Sequence, residues 1–375
     1  MHTVIIMGAG ASVEAGAPLM ADFLDRAEDY LHDPNSGIRS RDSFRLAIDA
    51  LRGLRSIHAT SYIDLNNLEA FLGVVEMQQL LDEQKSMLGH LSTVIVETLE
   101  EAITFRRDVQ NFNERRVLDR VLADPANLEL ASILADLQRA GTMHTAGVIT
   151  FNYDTVLEVA LADNGCSIDY GFDPALARGS TPFLKLHGSI GWGWCDTCKR
   201  IERTDVAKLI GLSTTTDMSK ILTPVRIRPF EDIQRHPCRN CRSAFRPTIV
   251  PPSWNKSEYR ESLVQVWRHA AAQLGKADRI VVIGYSLPES DAFFRYLFAL
   301  GTNSSTNRLR LVWVVNKDDD GSAEARMRQF IGRGIIDRVV FHRGEEGTFS
   351  YCVKRLRELL VHSNQVGLRS SKGSR

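Results

Sequence analysis

The sequence lacks a long apolar run, and it has no excess of charge of either sign. Its 375 residues include 46 basic and 46 acidic side chains, so the formal net charge is zero. No stretch approaches the roughly 20 apolar residues that cross a bilayer. The N-terminus also lacks the basic region and long apolar core of a secretory signal. These absences predict a cytoplasmic protein with no membrane partner. They also argue against direct nucleic-acid binding, although the stretch from Arg226 to Arg246 is locally basic.

Several catalytic motifs are missing as well. The chain contains no Walker Gly-x4-Gly-Lys, no His-Glu-x-x-His and no Gly-x-Ser-x-Gly. Their absence argues against P-loop hydrolysis, zincin proteolysis and the nucleophile elbow of serine hydrolases.

Cysteine is scarce, and its placement is informative. Four of the six cysteines fall in two Cys-x-x-Cys pairs with residues 199 to 237, 39 in all, between them; the four are Cys195, Cys198, Cys238 and Cys241. Two such pairs can supply four thiolates in tetrahedral geometry, which predicts a structural zinc site. Unpaired buried thiols, or a site that has lost its metal, remain as alternatives, and His236 could replace one ligand. Cys166 and Cys352 are interpreted as packing residues.

Strands alternate with helices along much of the chain. Apolar runs rich in β-branched residues predict strands at 3–7, 146–154, 182–192, 278–286, 309–316 and 337–343. Helical patterns follow most of them. This alternation predicts an α/β fold with a doubly wound, mostly parallel, Rossmann-like sheet.

Two segments interrupt that alternation. Residues 40–140 show helical periodicity almost throughout, including 66–84 and 91–110, which predicts a large helical insertion. Residues 193–247 carry the cysteine pairs in loop-like sequence, which predicts a small zinc-ribbon-like module. The whole is predicted to be one domain over 1–362, with 363–375 as a disordered tail.

A glycine-spaced stretch follows the first strand: Gly8, Ala9, Gly10, Ala11 and Ser12. A strand that leads through Gly-x-Gly into a helix can present backbone N–H groups to a phosphate. The dehydrogenase fingerprint requires a third glycine, but Val13 stands there, and no second strand follows at the expected distance. On this pattern alone, a nucleotide loop of another kind and a tight strand-to-helix turn both remain open.

Polar residues stand at the ends of other predicted strands. They are Asn152, Asp154, His187, Ser189, Tyr285, Ser286 and Asn316. In an open α/β sheet, ligands bind outside the carboxyl ends of the strands. Any one of these residues could be a helix cap or a turn residue. Their joint placement favours a ligand site.

Taken in order, GAGAS, TFNYD, KLHGS, the two cysteine pairs, GYS and VVN resemble the sirtuin family over residues 4 to 316. The motifs resemble those of the bacterial NAD-hydrolysing branch of sirtuin-like proteins more than those of the deacylases. The resemblance implies that NAD is the substrate, with Asn152 and Asp154 holding the nicotinamide ribose and the attacking water. His187 would be the general base acting on a ribose hydroxyl. The cofactor-binding residues implied in the same way are Gly8, Ala9, Gly10, Ala11, Ser12, Asp22, Gly284, Ser286 and Asn316.

One departure bears on the activity. Deacylating sirtuins carry Gly-Ile-Pro-Asp-Phe-Arg after the glycine loop, whereas here Asp22 and Phe23 are followed by Leu24. The predicted insertion would also cover the usual acyl-lysine groove. We therefore expect an NAD glycohydrolase, with a protein deacylase and a non-catalytic NAD- or ADP-ribose-binding regulatory subunit as alternatives. The resemblance further implies anti-phage defence by NAD depletion, a homo-oligomer, and a partner subunit such as a HerA-type ATPase.

Overall fold

The computed structural model describes residues 1–58, 64–82, 86–113, 116–141, 144–210, 213–215, 224–250, 260–288, 291–303, 309–331 and 334–362. The predicted tail, 363–375, lies outside these ranges. No helix within them is long and apolar enough to cross a membrane.

The strands of the described ranges, in chain order, are β1 His2–Met7, β2 Arg106–Asn113, β3 Arg116–Leu122, β4 Thr145–Thr150, β5 Ile168–Asp169, β6 Thr181–Lys185, β7 Gly188–Cys195, β8 Arg200–Arg203, β9 Ser213–Thr215, β10 Arg246–Ile249, β11 Arg279–Ile283, β12 Leu311–Val315 and β13 Val339–His342. The α-helices of the same ranges are α1 Phe23–His32, α2 Arg41–His58, α3 Leu68–Asp82, α4 Ser86–Ala102, α5 Pro125–Ala140, α6 Val156–Asp163, α7 Val206–Leu209, α8 Pro229–Gln234, α9 Arg260–Lys276, α10 Ala292–Thr302, α11 Ser322–Phe330 and α12 Phe349–Arg357.

Seven of the described strands form one parallel sheet in the order β13-β12-β11-β1-β4-β6-β5. β1 lies inside the sheet, with Ile5 opposite Val148 of β4 and Val281 of β11. Val4, Ile5 and Ile6 are all fully buried, so both faces of the sheet are covered at β1, which suits a continuous apolar run. The predicted doubly wound α/β fold is thus confirmed.

The strand order places a crevice beside β1. The chain leaves β1 toward β4 on one side and returns through β11 on the other. Ligands bind at such a reversal of strand order, outside the carboxyl ends of the strands. The loops after β1, β4 and β11 therefore meet at one edge of the sheet.

The segment between β1 and β4 is not helical throughout. α4 ends at Ala102, and β2 and β3 then form an antiparallel hairpin that β9 extends to three strands. The helical pattern predicted over 91–110 is therefore wrong beyond Ala102. Val109 and Phe112, three residues apart, give a spacing that a helix also produces, and strand pairing decides the structure instead.

The run predicted as one strand at 182–192 is two strands. β6 ends at Lys185 and β7 begins at Gly188, which has φ of +84°. A Cβ at Gly188 would lie 2.0 Å from the carbonyl oxygen of Thr248, so only glycine fits there. The break leaves His187 in the turn, and β7 joins β10 and β8 in a small antiparallel sheet that carries the first cysteine pair.

Candidate functional site

A cleft of about 610 Å³ opens at the carboxyl ends of the central strands. Its walls come from the segments after β1, β4, β6, β11 and β12. Eight of the predicted site residues line it: Gly8, Ala9, Gly10, Asn152, His187, Gly284, Ser286 and Asn316. The structure thus brings together residues that the sequence places up to about 300 positions apart.

The glycine loop owes its spacing to close packing against the loop after β11. A Cβ at Gly10 would lie 2.8 Å from Cα of Gly284, and one at Gly8 would lie 2.7 Å from Cα of Tyr285. Gly284 itself has φ of +60°, and a Cβ there would lie 2.4 Å from the nitrogen of Ala11. The tight-turn interpretation therefore accounts for the glycines, although Gly8 and Gly10 still face the cleft.

Most N–H groups of the loop are engaged within the protein. Those of Gly8 and Gly10 donate to Ile283 (3.0 Å) and Gly284 (2.9 Å), and those of Ala11 and Ser12 donate back to residues within the loop. One short 3-10 turn, Ala9–Ala11, lies within the loop and another, Val13–Ala15, follows it, so that α1 begins only at Phe23. The loop therefore does not lead directly into an α-helix, as the strand–glycine–helix pattern requires.

Asn152 links the end of β4 to this loop. Its Nδ2 donates to the carbonyl of Gly8 and to Oγ of Ser12, both at 2.9 Å. Its Oδ1 is buried and accepts no hydrogen bond from the residues that the structure describes. A buried acceptor of this kind costs free energy unless a ligand or water donates to it. Asn152 thus lines the cleft and carries a buried acceptor that none of the described residues satisfies.

His187 lies at the buried end of the cleft, with 3% of its surface exposed. The Phe151 ring meets its imidazole edge-on at 5.0 Å between centroids. Its Nε2 lies 3.0 Å from Oδ1 of Asp291, and Oδ2 of Asp291 accepts a hydrogen bond of 2.8 Å from the Tyr285 hydroxyl. Burial and the charge of Asp291 raise the pKa of Tyr285 well above its usual range. Tyr285 therefore stays protonated as the donor.

Asp154 lies beneath the cleft and does not line it. Its Oδ1 accepts from the backbone N–H of Val156 at 3.0 Å, at the start of α6, and its carbonyl accepts from the buried Lys185. Asp154 is thus a turn residue before the helix, one of the alternatives that the sequence left open, since Thr155 is the N-cap of α6. The catalytic role of Asp154 remains a prediction.

Three other predicted residues also lie away from the cleft lining. Ala11 and Ser12 are buried behind it, and Asp22 is exposed beside α1. Leu24, which stands where deacylases have arginine, is 1% exposed and packs in the core. No arginine-like contact can come from that position.

The structure also adds lining residues that the motifs did not indicate. Asn67 and Glu69, at the start of α3, reach the cleft from the insertion, and the N–H of Leu68 donates to Met20 at 3.0 Å. Asp291 lines the cleft from the start of α10. Only the joint fold brings these segments to the site, since none of them ends a strand.

The four paired cysteines form one cluster. Their sulfurs all lie within 4.8 Å of one another, with 3.4 Å between Cys195 and Cys241 and 3.7 Å between Cys198 and Cys238. A tetrahedral zinc with bonds of about 2.3 Å requires sulfurs about 3.8 Å apart, whereas a disulfide requires about 2.05 Å. The donor set and spacing therefore fit zinc.

Two turns of similar conformation shape this cluster. Lys199 and Arg242, each following the second cysteine of its pair, have φ of +51° and +63°. Their N–H groups donate to the carbonyls of Cys195 (2.9 Å) and Cys238 (2.8 Å). His236 is exposed and is not part of the cluster. Among the described residues, the cluster consists of the four cysteines alone.

Fold and site define an α/β protein with a Rossmann-like sheet, a ligand cleft at the strand ends and a four-cysteine module. A family model described as a SIR2-like domain matches residues 146–335, and the chain belongs to this family. The resemblance stated from the motifs is thereby confirmed at the level of the family.

Similar solved structures include a complex of a mutant Sir2 homologue with ADP-ribose (15% identity, covering 96% of this chain and 93% of that one, TM-score 0.43). A Sir2 homologue complexed with NAD (16%, 96% and 90%, 0.42) and Sir2 bound to an acetylated peptide (16%, 95% and 92%, 0.38) are similar too. No curated protein sequence matches the chain.

Proposed function

We propose that the protein is an NAD glycohydrolase, which converts NAD and water to nicotinamide and ADP-ribose. The observation that carries the proposal is that Asn152, whose Oδ1 is a buried acceptor, and His187 line one cleft beside the glycine loop. Membership of the SIR2-like family supports NAD as the substrate.

The reaction places modest demands on the protein. Nicotinamide is a good leaving group, and its departure builds positive charge on the ribose. The site therefore has to hold the ribose and a water molecule in line rather than supply a strong acid. Asn152 Oδ1 would accept from a ribose hydroxyl or from the water. His187 would act as general base on a ribose hydroxyl.

The rest of the cleft would hold the remainder of NAD. Gly8, Ala9 and Gly10 would contact the pyrophosphate through the atoms that line the cleft. Gly284, Ser286 and Asn316 would contact the adenosine half. Ala11, Ser12 and Asp154 would act from behind the cleft by fixing the loops.

Two observations favour hydrolysis over protein deacylation. Leu24 is buried in α1 and cannot replace the arginine of deacylases. The insertion also supplies part of the cleft wall through Asn67 and Glu69, and the bond from Leu68 to Met20 fastens that wall beside the glycine loop. An acyl-lysine would have to approach past this wall.

The test is to incubate the purified protein with NAD alone and to separate the products by chromatography. We expect nicotinamide and ADP-ribose without any acyl peptide, and a loss of about 10²-fold or more in kcat for His187→Ala. Asn152→Ala should also lose activity. His269→Ala and Asn164→Ala are matched controls because both side chains bond to backbone carbonyls away from the cleft.

Each other outcome identifies an alternative. Full cleavage by both Asn152→Ala and His187→Ala would show that the site is wrong. Product only in the presence of an acyl peptide would identify a deacylase. Tight binding of NAD or ADP-ribose without turnover, even with a partner present, would identify a regulatory subunit.

The wider setting is part of the same proposal. NAD cleavage in a cytoplasmic protein would serve anti-phage defence by depleting NAD, as a homo-oligomer or with a HerA-type ATPase or another defence subunit. Zinc on the four cysteines would be structural, because four protein ligands leave no open position on the metal. Sizing by light scattering, alone and with the product of the neighbouring gene, tests the assembly.

A further inference from the structure

Asp291 lies against the catalytic candidate His187, although no motif of the sequence assigns it a role. The side chains of both residues are almost fully buried, at 2% and 4% exposure, and 3.0 Å separates Oδ1 from Nε2. A buried carboxylate is costly unless it is paired and hydrogen-bonded. Its Oδ2 accepts a hydrogen bond from the hydroxyl of Tyr285, and its Oδ1 lies at ion-pair distance from Nε2 of His187.

Aromatic packing fixes the position of this pair. The ring of Tyr285 stacks on that of Phe151 at 4.3 Å with an interplanar angle of 6°, and Phe294 meets both rings edge-on. Phe151 in turn meets the His187 imidazole. The carboxylate and the imidazole therefore cannot move apart without unpacking three aromatic side chains.

Asp291 also stands at the residue before α10. The N-terminal end of a helix carries a partial positive charge, which favours an ionised carboxylate there. The segment that holds Asp291 is thus suited to keep a negative charge in an apolar surrounding.

We propose that Asp291 is a positioning residue for His187: its Oδ1, 3.0 Å from Nε2, favours the proton on Nε2 and leaves Nδ1 as the basic nitrogen of the ring. This rests on the proposed function. When a ribose hydroxyl gives up its proton, the O–H bond breaks and an N–H bond forms at Nδ1. The imidazolium that results is paired with the carboxylate of Asp291, while Tyr285 holds the other carboxylate oxygen. A carboxylate also orients the imidazole in the triads of other enzymes, although there it pairs with Nδ1–H and Nε2 is the base.

A blocking contact is the competing explanation. If Asp291 instead occupied the nitrogen that has to face the substrate, it would hold the histidine inactive. The two explanations predict opposite changes on removal of the carboxylate, so one substitution separates them.

The variants are Asp291→Asn, Asp291→Ala and Tyr285→Phe, with Asp278→Asn as the matched control. Asp278 is also a buried carboxylate, but it accepts from the N–H of His2 at the opposite edge of the sheet. A general base is worth about 10²- to 10⁴-fold, so loss of its orientation should lower kcat by about 10- to 100-fold. KM and the dissociation constant for ADP-ribose should change less than about threefold, because a positioning residue acts on the chemical step. Tyr285→Phe should show a smaller loss of the same kind, and Asp278→Asn should retain kcat.

A second readout needs no turnover. Nitrogen-15 NMR of histidine-labelled full-length protein, with His187 assigned from His187→Gln, reports which ring nitrogen carries the proton. At a pH where the ring is neutral, we expect Nε2–H in the wild type and a mixture of tautomers in Asp291→Asn. Unchanged or increased kcat in Asp291→Asn, an equal loss in Asp278→Asn, or an Nδ1–H tautomer in the wild type would overturn the assignment. A wild type that shows the Nε2–H signal but cleaves no NAD would overturn the proposed function and leave the pairing intact.

Discussion

A buried ion pair beneath the cleft offers the sharpest test of the physical reasoning. Nζ of Lys185 lies 2.8 Å from Oε1 of Glu158, and the two side chains are 1% and 2% exposed. Lys185 also donates to the carbonyl of Asp154, in the turn that carries Asn152. The pair therefore connects β6 and α6 to one wall of the cleft.

Lys185→Met removes the cation, keeps most of the side-chain volume and leaves Glu158 buried without its partner. Breaking a buried pair by removing one member costs about 3–5 kcal/mol, because an uncompensated charge stays in the interior. That is a large part of the roughly 5–15 kcal/mol by which domains are stable. We expect the free energy of unfolding to fall by this amount near neutral pH, and NAD cleavage to fall with it.

The pH dependence has a definite sign. Burial raises the pKa of Glu158, and Lys185 opposes that rise. A carboxyl whose pKa is raised in the folded state binds more protons folded than unfolded, so its contribution is present at low pH and is lost as pH rises through the folded value. Without Lys185 the pKa rises further. The deficit of Lys185→Met should therefore shrink as the pH is lowered toward the ordinary range of glutamate.

Urea unfolding of wild type and variant, followed by circular dichroism over a series of pH values, measures both quantities. Lys208→Met is the matched control, because the ion pair of Lys208 with Asp205 is exposed and such pairs are worth about 0–1 kcal/mol. A pH-independent loss of less than about 1 kcal/mol in Lys185→Met would refute the reasoning.

Three further predictions concern other parts of the molecule. Gly284→Ala should lower the free energy of unfolding by at least about 1–3 kcal/mol, since Gly284 has φ of +60° and a Cβ there would meet Ala11. Gly53→Ala in α2, where a Cβ would have nothing within 4 Å, should instead raise the free energy of unfolding by about 0.5–1 kcal/mol. Urea unfolding compares the two variants, and equal effects would contradict the close packing of the two loops. Elemental analysis should find about one zinc per chain, and Cys238→Ser should lower both the zinc content and the melting temperature. Metal-free wild type that is as stable as the purified protein would contradict the structural zinc site. Burial raises the pKa of the Cys352 thiol, so alkylation of the native protein should spare Cys352 and label it only after unfolding, as peptide mass mapping can check.

The sheet was predictable because its strands carry their own signal. Val4, Ile5 and Ile6 are buried on both faces, and such continuous apolar runs have few other uses in an α/β chain. Polar residues follow the carboxyl ends of these runs, and they are predicted to lie close together because parallel strands end at a common edge of the sheet. Asn152 and His187 lie together in the cleft for that reason.

Other features depended on contacts between distant segments. The hairpin of β2 and β3 has apolar spacing that also fits a helix, and pairing with β9 is a long-range property. The break at Gly188 follows from the approach of Thr248, about 60 residues later. Asp291 comes to His187 only through the placement of α10, so no local pattern indicates it.

Two residues of the family motif TFNYD, Asn152 and Asp154, have different roles in the structure. Asn152 lines the cleft, and its Oδ1 accepts no hydrogen bond from the described residues, while the oxygens of Asp154, two residues on, accept from the N–H of Val156 and from Lys185. The two side chains point to different environments because the turn between them leaves the strand and enters a helix. A motif match alone predicts that both residues contact the substrate. The contacts separate them: Asn152 is suited to touch the substrate, and Asp154 is suited to hold Asn152 where it can.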